Sequence, residues 1–148
     1  MIAQQLPVAQ APAAGKAEIW LETDDWWLHA VHPSFAAGYA RFHARNREHL
    51  CMAMTQTPEL EKASFWTGEL PRREEAMRKG QAVHLVGFSK HGDGREIGCL
   101  NSYWGIEHGD FRACTISFML DASLEGRSLM YAACAPAVEQ VMERHKLH

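Results

Sequence analysis

The chain has 148 residues, of which 47% are hydrophobic and 22% charged, with a formal net charge of -3 and a pI of about 6.3. This is the make-up of one globular domain, long enough to bury roughly 68–70% of its unfolded surface without a disulfide or metal staple. The acidic balance argues against a nucleic-acid binder built on a broad basic surface, and no run of about 20 apolar residues is present to span a membrane.

Residues 1–17, rich in Ala, Gln and Pro, lack the basic start and continuous apolar run of a signal peptide and read as a flexible leader. A first strand region follows over 20–31, interrupted by Thr23-Asp24-Asp25; its adjacent Trp26 and Trp27 must face opposite sides of a strand. Pro33 and Ser34, a candidate N-cap, open a helix over 34–50 in which Phe35, Tyr39, Phe42, Asn46 and Leu50 recur at helical spacing. After a loop at 51–57, Pro58 opens a second helical region carrying Leu60, Phe65, Trp66 and Leu70. Pro71 is expected to break or kink it, and Gly80 to end it.

Three strand-like runs come next, at 82–90, 96–103 and 112–120, joined by turns at 91–94 and 105–110. Two turn-linked hairpins in a row predict an antiparallel meander. From about residue 129 the pattern returns to helix, with Leu129, Met130, Ala133, Ala137, Val141 and Met142 on one apolar face. Pro136 inside that stretch costs about 3 kcal/mol unless the helix bends or starts late. The order strand, two helices, three strands, one helix reads as an α+β fold, not a doubly wound sheet.

The segment richest in chemistry is Ile116 to Ala133, ISFMLDASLEGRSLMYAA, where a strand ends, a short glycine-containing loop follows and a helix begins. Such a junction is an anion site, because the first helical turn leaves N–H groups unpaired and the helix dipole adds partial positive charge. Gly126 lets backbone approach a phosphate closely, Arg127 adds a charge and Ser128 a hydroxyl, a set that suits a pyrophosphate.

These residues resemble the RimJ/RimL type of the GNAT acyl-CoA N-acyltransferases. The quoted positions are Leu120-Asp121, Glu125-Gly126-Arg127-Ser128 and Tyr131-Ala132-Ala133 at the junction, Leu21-Glu22-Thr23 at the opening, and Ala40-Arg41-Phe42 through Asn46-Arg47-Glu48-His49-Leu50 in the first helix. The likeness runs in order from Ile19 to His148. It implies a mixed, mainly antiparallel sheet flanked by helices over 18–148, lacking the family's C-terminal strands. It implies acetyl-CoA as co-substrate, with Phe118, Met119 and Leu120 pairing the pantetheine amides and Glu125, Gly126, Arg127, Ser128, Leu129 and Met130 holding the pyrophosphate. It implies acetyl transfer to an amine, a protein or peptide N-terminus or a small amine such as an amino sugar, through a tetrahedral oxyanion met by a strand amide, in a cytoplasmic enzyme with no nucleic-acid or membrane partner.

Ser128 stands where the family has its second loop glycine, and Ala132 where related enzymes have Glu. If position 128 needs positive φ, Ser fits it poorly; in helical geometry Ser adds a donor. The family continues past this point with the strand that completes the acyl-CoA cleft, so the strand ending at Leu120 is expected to have an open edge and to pair in a homodimer. The competing reading is a catalytically impaired module that binds CoA or a protein partner only. The general base is unassigned; Asn101 and Asp121, near strand ends, are candidates to position water, with turn capping favoured for Asp121. His29/His32 and His145/His148 have i,i+3 spacing but read as surface or capping residues, so no metal is expected. The four cysteines form no C-x-x-C pair and read as reduced, mostly buried thiols. Arg72-Arg73-Glu74-Glu75 reads as a solvated helix face. Arg41 and Arg45 share a helix face with two readings, guiding an acidic acceptor or plain surface; Met52 and Met54 sit in a loop that the resemblance places near the acceptor, and read either as acceptor contacts or as lid or core packing.

Overall fold

The computed structural model of the protein describes residues 18–92 and 94–148. The expected leader at 1–17 and Asp93 of the first hairpin turn lie outside the described residues. Among the described residues five strands form one sheet in sequence order: β1 (Ile19–Glu22), β2 (Trp26–Ala30), β3 (Ala82–Ser89), β4 (Cys99–Trp104) and β5 (Thr115–Leu120). Every pair is antiparallel, in keeping with the mainly antiparallel sheet that the resemblance implies and with the meander expected from the turn-linked runs.

The opening strand region is two strands, not one. Thr23 reverses the chain: its Oγ1 accepts from the amides of Asp25 (3.2 Å) and Trp26 (3.0 Å), and its N–H donates to the Trp26 carbonyl (2.9 Å). A hydroxyl that satisfies two amides substitutes for ladder bonds and turns an interruption into a hairpin.

The helical section comprises α1 (Ala36–Arg45), α2 (Arg47–Cys51) and α3 (Ala63–Arg78), with 3₁₀ turns at Pro33–Phe35 and Pro58–Glu61. The single helix expected over 34–50 is divided at Asn46 (φ -109°, ψ 18°). Its side-chain amide donates to the Phe42 carbonyl at 2.9 Å, competing with the backbone ladder. The N-cap at this end is His32, whose side chain accepts from the Ser34 amide, rather than Ser34 itself. α3 runs through Pro71 without a break. The carbonyl that would pair with an N–H at position 71 is that of Thr67, which lies at an exposed position of the helix.

The two tryptophans send their side chains to opposite faces of the sheet, as their adjacency requires. Trp27 joins Val86, Phe88 and Leu100 beneath Tyr39, Phe42, Trp66 and Leu70 of α1 and α3. Trp26 joins Leu28, Leu85, Cys99 and Tyr103 beneath Leu129, Ala133, Ala137 and Val141 of the last helix, α4 (Leu129–His145). Each fully buried Val, Leu or Phe among them contributes roughly 1.5–3 kcal/mol by leaving water. Room for the Trp26 indole comes from two glycines. A Cβ on Gly87 would lie 2.3 Å from Cys99 Sγ and 3.1 Å from the indole, and one on Gly98 would lie 2.9 Å from it.

The layers are thus α1 and α3, then the sheet, then α4. β3 is buried along its whole length and β5 lies at an edge. No helix among the described residues is long and apolar enough to cross a membrane.

Candidate functional site

β5 hands over to α4 through a short, heavily braced turn. Asp121 closes it: its Oδ2 accepts from the Ser123 amide (3.1 Å) and hydroxyl, capping a 3₁₀ turn at Ala122–Leu124. Its Oδ1 accepts from Asn46 Nδ2 (2.9 Å) and Arg45 Nε (2.8 Å). Asn46 Oδ1 in turn accepts from the Ala122 amide at 2.9 Å. The residue that divides α1 from α2 therefore holds the turn after β5 from both ends. Burial pushes the Asp121 carboxyl up, but the hydrogen bonds from Ser123, Asn46 and Arg45 outweigh it and hold the pKa below the ordinary value. All this makes Asp121 a turn brace; the water-positioning role considered for it has no free oxygen lobe to use.

Beyond Leu124, which is buried, the backbone turns left-handed twice, at Gly126 (φ 80°) and Ser128 (φ 56°, ψ 20°). Position 128 is thus one that favours glycine, and Ser128 occupies it at a cost of roughly 1–2 kcal/mol. Its hydroxyl makes no cap bond to α4. α4 begins at Leu129, whose carbonyl receives the Trp26 indole N–H at 2.8 Å. The first amide to find an acceptor in the last turn of this junction is that of Ala132, bonded to the Ser128 carbonyl at 3.1 Å. Among the described residues the amides of Gly126 to Met130 meet no other backbone acceptor. The Glu125 amide is different: it closes the 3₁₀ turn on the Ala122 carbonyl at 3.3 Å. Glu125 also lies with its carboxylate 3.5 Å from His49. Arg127 is exposed, with one long contact to the Ser123 carbonyl (3.4 Å).

β5 pairs with β4 over its full length, from Thr115 opposite Trp104 to Leu120 opposite Cys99. Its other edge has no strand neighbour among the described residues. Ile116 and Phe118 stand 41% and 38% exposed there, Phe118 edge-on to Tyr103 at 6.1 Å. Met119 and Leu120 are half-buried against the two opposite cores. A row of unpaired strand amides and carbonyls leads straight into a turn of unpaired amides, the first suited to an amide-bearing chain and the second to an anion.

On the α1/α3 face of the same strands lies an open cavity of about 750 Å³. Ser117 and Met119 of β5 form one wall, Ser102 and His84 the floor, and Glu69, Arg72 and Arg73 of α3 the opposite wall. His84 Nδ1 bonds Ser102 Oγ at 2.9 Å. Burial lowers the His84 pKa to about 4, with the charge of Arg73 acting in the same direction, so the imidazole is neutral at pH 7. Periodicity alone does not single out His84; its signal in the sequence is a lone polar residue inside the apolar run Ala82 to Phe88.

Other expected roles fall elsewhere. Asn101 sits mid-strand, fully buried on the α4 side, with neither amide atom bonded among the described residues; it is not part of the cavity wall. Arg41 and Arg45 are engaged by Glu96 and Asp121 rather than free to guide an acceptor. His29 packs edge-on against Phe35 and Phe88, and His145 lies 5.6 Å from His108. Among the described residues no group of three metal-ligating side chains is assembled. All four cysteines are free; Cys99 and Cys134 are buried, while Cys51 is exposed. Met52 is exposed, and Met54 packs on the α1/α3 core.

No family model and no curated protein matches the chain. Solved structures do. The ribosomal-protein-S5-alanine acetyltransferase of Vibrio fischeri aligns with a TM-score of 0.80 at 22% identity, over 86% of this chain and 69% of that one. RimJ of Mycobacterium smegmatis, in complex with CoA-disulfide, aligns at 0.71 and 19% identity, over 83% of this chain and 59% of its own. Spermidine N-acetyltransferase of Vibrio cholerae, in complex with CoA and spermine, aligns at 0.63 and 12% identity. The chain therefore spans between about three-fifths and two-thirds of the length of the first two, and its fold is that of the GNAT acyl-CoA N-acyltransferases.

Proposed function

We propose, for a chain with the GNAT acyl-CoA N-acyltransferase fold, that the β5–α4 junction binds acetyl-CoA and that the chain transfers the acetyl group to a protein or peptide α-amine. The observation that carries this reading is the continuity of two unpaired backbone rows, the free edge of Thr115–Leu120 and the amides of Gly126 to Met130. On this reading Phe118, Met119 and Leu120 present the edge that pairs with the pantetheine amides. Gly126, Arg127, Ser128, Leu129 and Met130 take the pyrophosphate, with Arg127 supplying the formal charge. The Glu125 amide, already bonded, contributes only by setting the turn.

The acceptor reaches the thioester from the cavity under α3, which abuts β5 through Ser117 and Met119. A neutral amine attacks the thioester carbonyl, the oxyanion is met by a strand amide, and the CoA thiolate departs. His84, with its pKa near 4, is too weak a base to deprotonate an α-ammonium of ordinary pKa near 8. Its role is to accept a hydrogen bond; the α-amine enters as the fraction already neutral near pH 7, and the proton it sheds after attack ends on the departing thiolate, giving the amide and the CoA thiol. A cytoplasmic location belongs to the same reading; the homodimer expected through the β5 edge competes with pantetheine for that edge and is incompatible with bound acetyl-CoA.

A second reading has its own support. Ser128 in the left-handed region and Ala132 on the first turn of α4 favour a module that holds CoA weakly and transfers nothing. Calorimetry with acetyl-CoA, followed by mass analysis of a panel of N-terminal peptides, separates the two. Binding with a 42 Da mass gain on peptides supports the transferase; binding without transfer supports the module; no binding defeats both.

A further inference from the structure

The cavity beneath α3 carries an uneven charge, which the sequence alone read as a solvated helix face. Arg72 and Arg73 both line it, opposed on the same wall by one acid, Glu69. Glu69 is not free: it pairs with Arg73 Nε at 3.4 Å, and the Arg73 guanidinium lies 5.1 Å above the Trp66 ring. That leaves the Arg72 guanidinium without an acidic partner among the described residues, on the rim of a cavity whose floor is a neutral imidazole and the Ser102 hydroxyl, with the Ser117 hydroxyl on the facing wall.

We infer that this cavity selects acceptors in which a carboxylate lies within one or two residues of the reacting amine, and that it rejects polyamines. The inference rests on the cavity being the acceptor site of the proposed transferase. A carboxylate entering beside the amine meets the unpaired Arg72, while the amine finds hydrogen-bond acceptors in His84 and Ser102 on the floor. A polyamine brings two or more positive charges to a wall where the only carboxylate is already shared. Opposite charges at an interface favour the right partner and penalise like-charged ones, so charge here sets specificity more than total affinity.

The test uses the full chain saturated with CoA and two probes that differ at one position, the peptide amides Ala-Glu-Gly-Gly and Ala-Lys-Gly-Gly, with spermidine as a third. Binding is followed by tryptophan fluorescence, Trp104 lying on the cavity rim. The Glu peptide is expected to bind at least tenfold more tightly than the Lys peptide, about 1.4 kcal/mol, and spermidine not at all. Arg72→Glu is expected to invert that ratio, and Arg72→Gln to bring it near one; Arg72 is exposed, so both variants should keep the parent circular dichroism. Equal binding, tighter binding of the Lys peptide or spermidine, no binding by any probe, or a ratio unchanged in Arg72→Glu overturns the inference. Because the readout is binding, it separates from catalysis. A preserved Glu preference without acetylation leaves the charge preference of the cavity standing and sinks the transferase, and with it the cavity's role as acceptor site, whereas acetylation without preference sinks the inference alone.

Discussion

The indole Nε1 of Trp26 donates a 2.8 Å hydrogen bond to the carbonyl oxygen of Leu129, 103 positions further along the chain. A residue of the second strand thereby fixes where the last helix begins, and with it the aim of the unpaired amides just before that helix. Trp26→Phe removes the donor and shrinks the bicyclic ring for which Gly87 and Gly98 make room. It is expected to lower stability by about 2–4 kcal/mol, the lost bond and the cavity together, roughly 4–16 °C in Tm, with a measurable loss of acetyl-CoA affinity in calorimetry. Parent-like affinity in this variant would mean that the start of α4 is held by packing alone.

Ser128 stores strain at the site itself. Its φ of 56° costs a non-glycine residue about 1–2 kcal/mol, partly offset in Ser128→Gly by the greater entropy of a glycine in the unfolded chain. The expected net gain is about 0.5–1 kcal/mol by thermal unfolding. Ser128→Val, β-branched in the same conformation, is expected to lose at least 1 kcal/mol.

The carboxylate of Asp121 is the hub of the turn. Asp121→Ala strands the Asn46 amide and part of the Arg45 guanidinium and is expected to cost about 2–3 kcal/mol in urea unfolding. The pH dependence has a definite sign. The folded pKa is depressed, so the stabilisation is complete above the unfolded value near 4 and fades as pH falls through the folded value. Asp121→Asn is expected to flatten the acid limb of the stability curve below pH 4.

His84 acts in a different window. Its imidazole has a folded pKa of about 4 against an unfolded value of 6.5, so between those values the unfolded chain binds the extra proton. Stability from this group is unaffected above pH 6.5, declines as pH falls towards 4, and the accumulated penalty levels off below that at up to about 3 kcal/mol. Burial lowers the His43 pKa as well, so part of the slope belongs to that residue. His84→Gln is expected to remove most of the slope between pH 6.5 and 4 while leaving stability at pH 7.5 within about 1 kcal/mol.

Much of this arrangement was legible in the sequence, for reasons that can be named. Alternating apolar residues and turn clusters located β3, β4 and β5, and the glycine-containing loop before Leu129 located the junction. What stayed hidden depends on contacts between distant residues. Asn46 reads as one more helical position until its side chain meets Asp121, and only then does the break between α1 and α2 have a cause. Thr23 reads as an interruption until its hydroxyl captures two amides and makes a hairpin. Arg72 reads as solvated surface because helical periodicity cannot say that a cavity opens beside it. Arg41 and Arg45 err in the opposite direction: they look free on a helix wheel, but Glu96, from the loop before β4, reaches both.

The most direct test of the account is amide hydrogen exchange with and without saturating acetyl-CoA. Bound acetyl-CoA is expected to slow exchange at residues 116–120 and 126–130 and to leave the amides of β2 and β3 unchanged. Unaltered exchange in both segments, or protection confined to other parts of the chain, would contradict it.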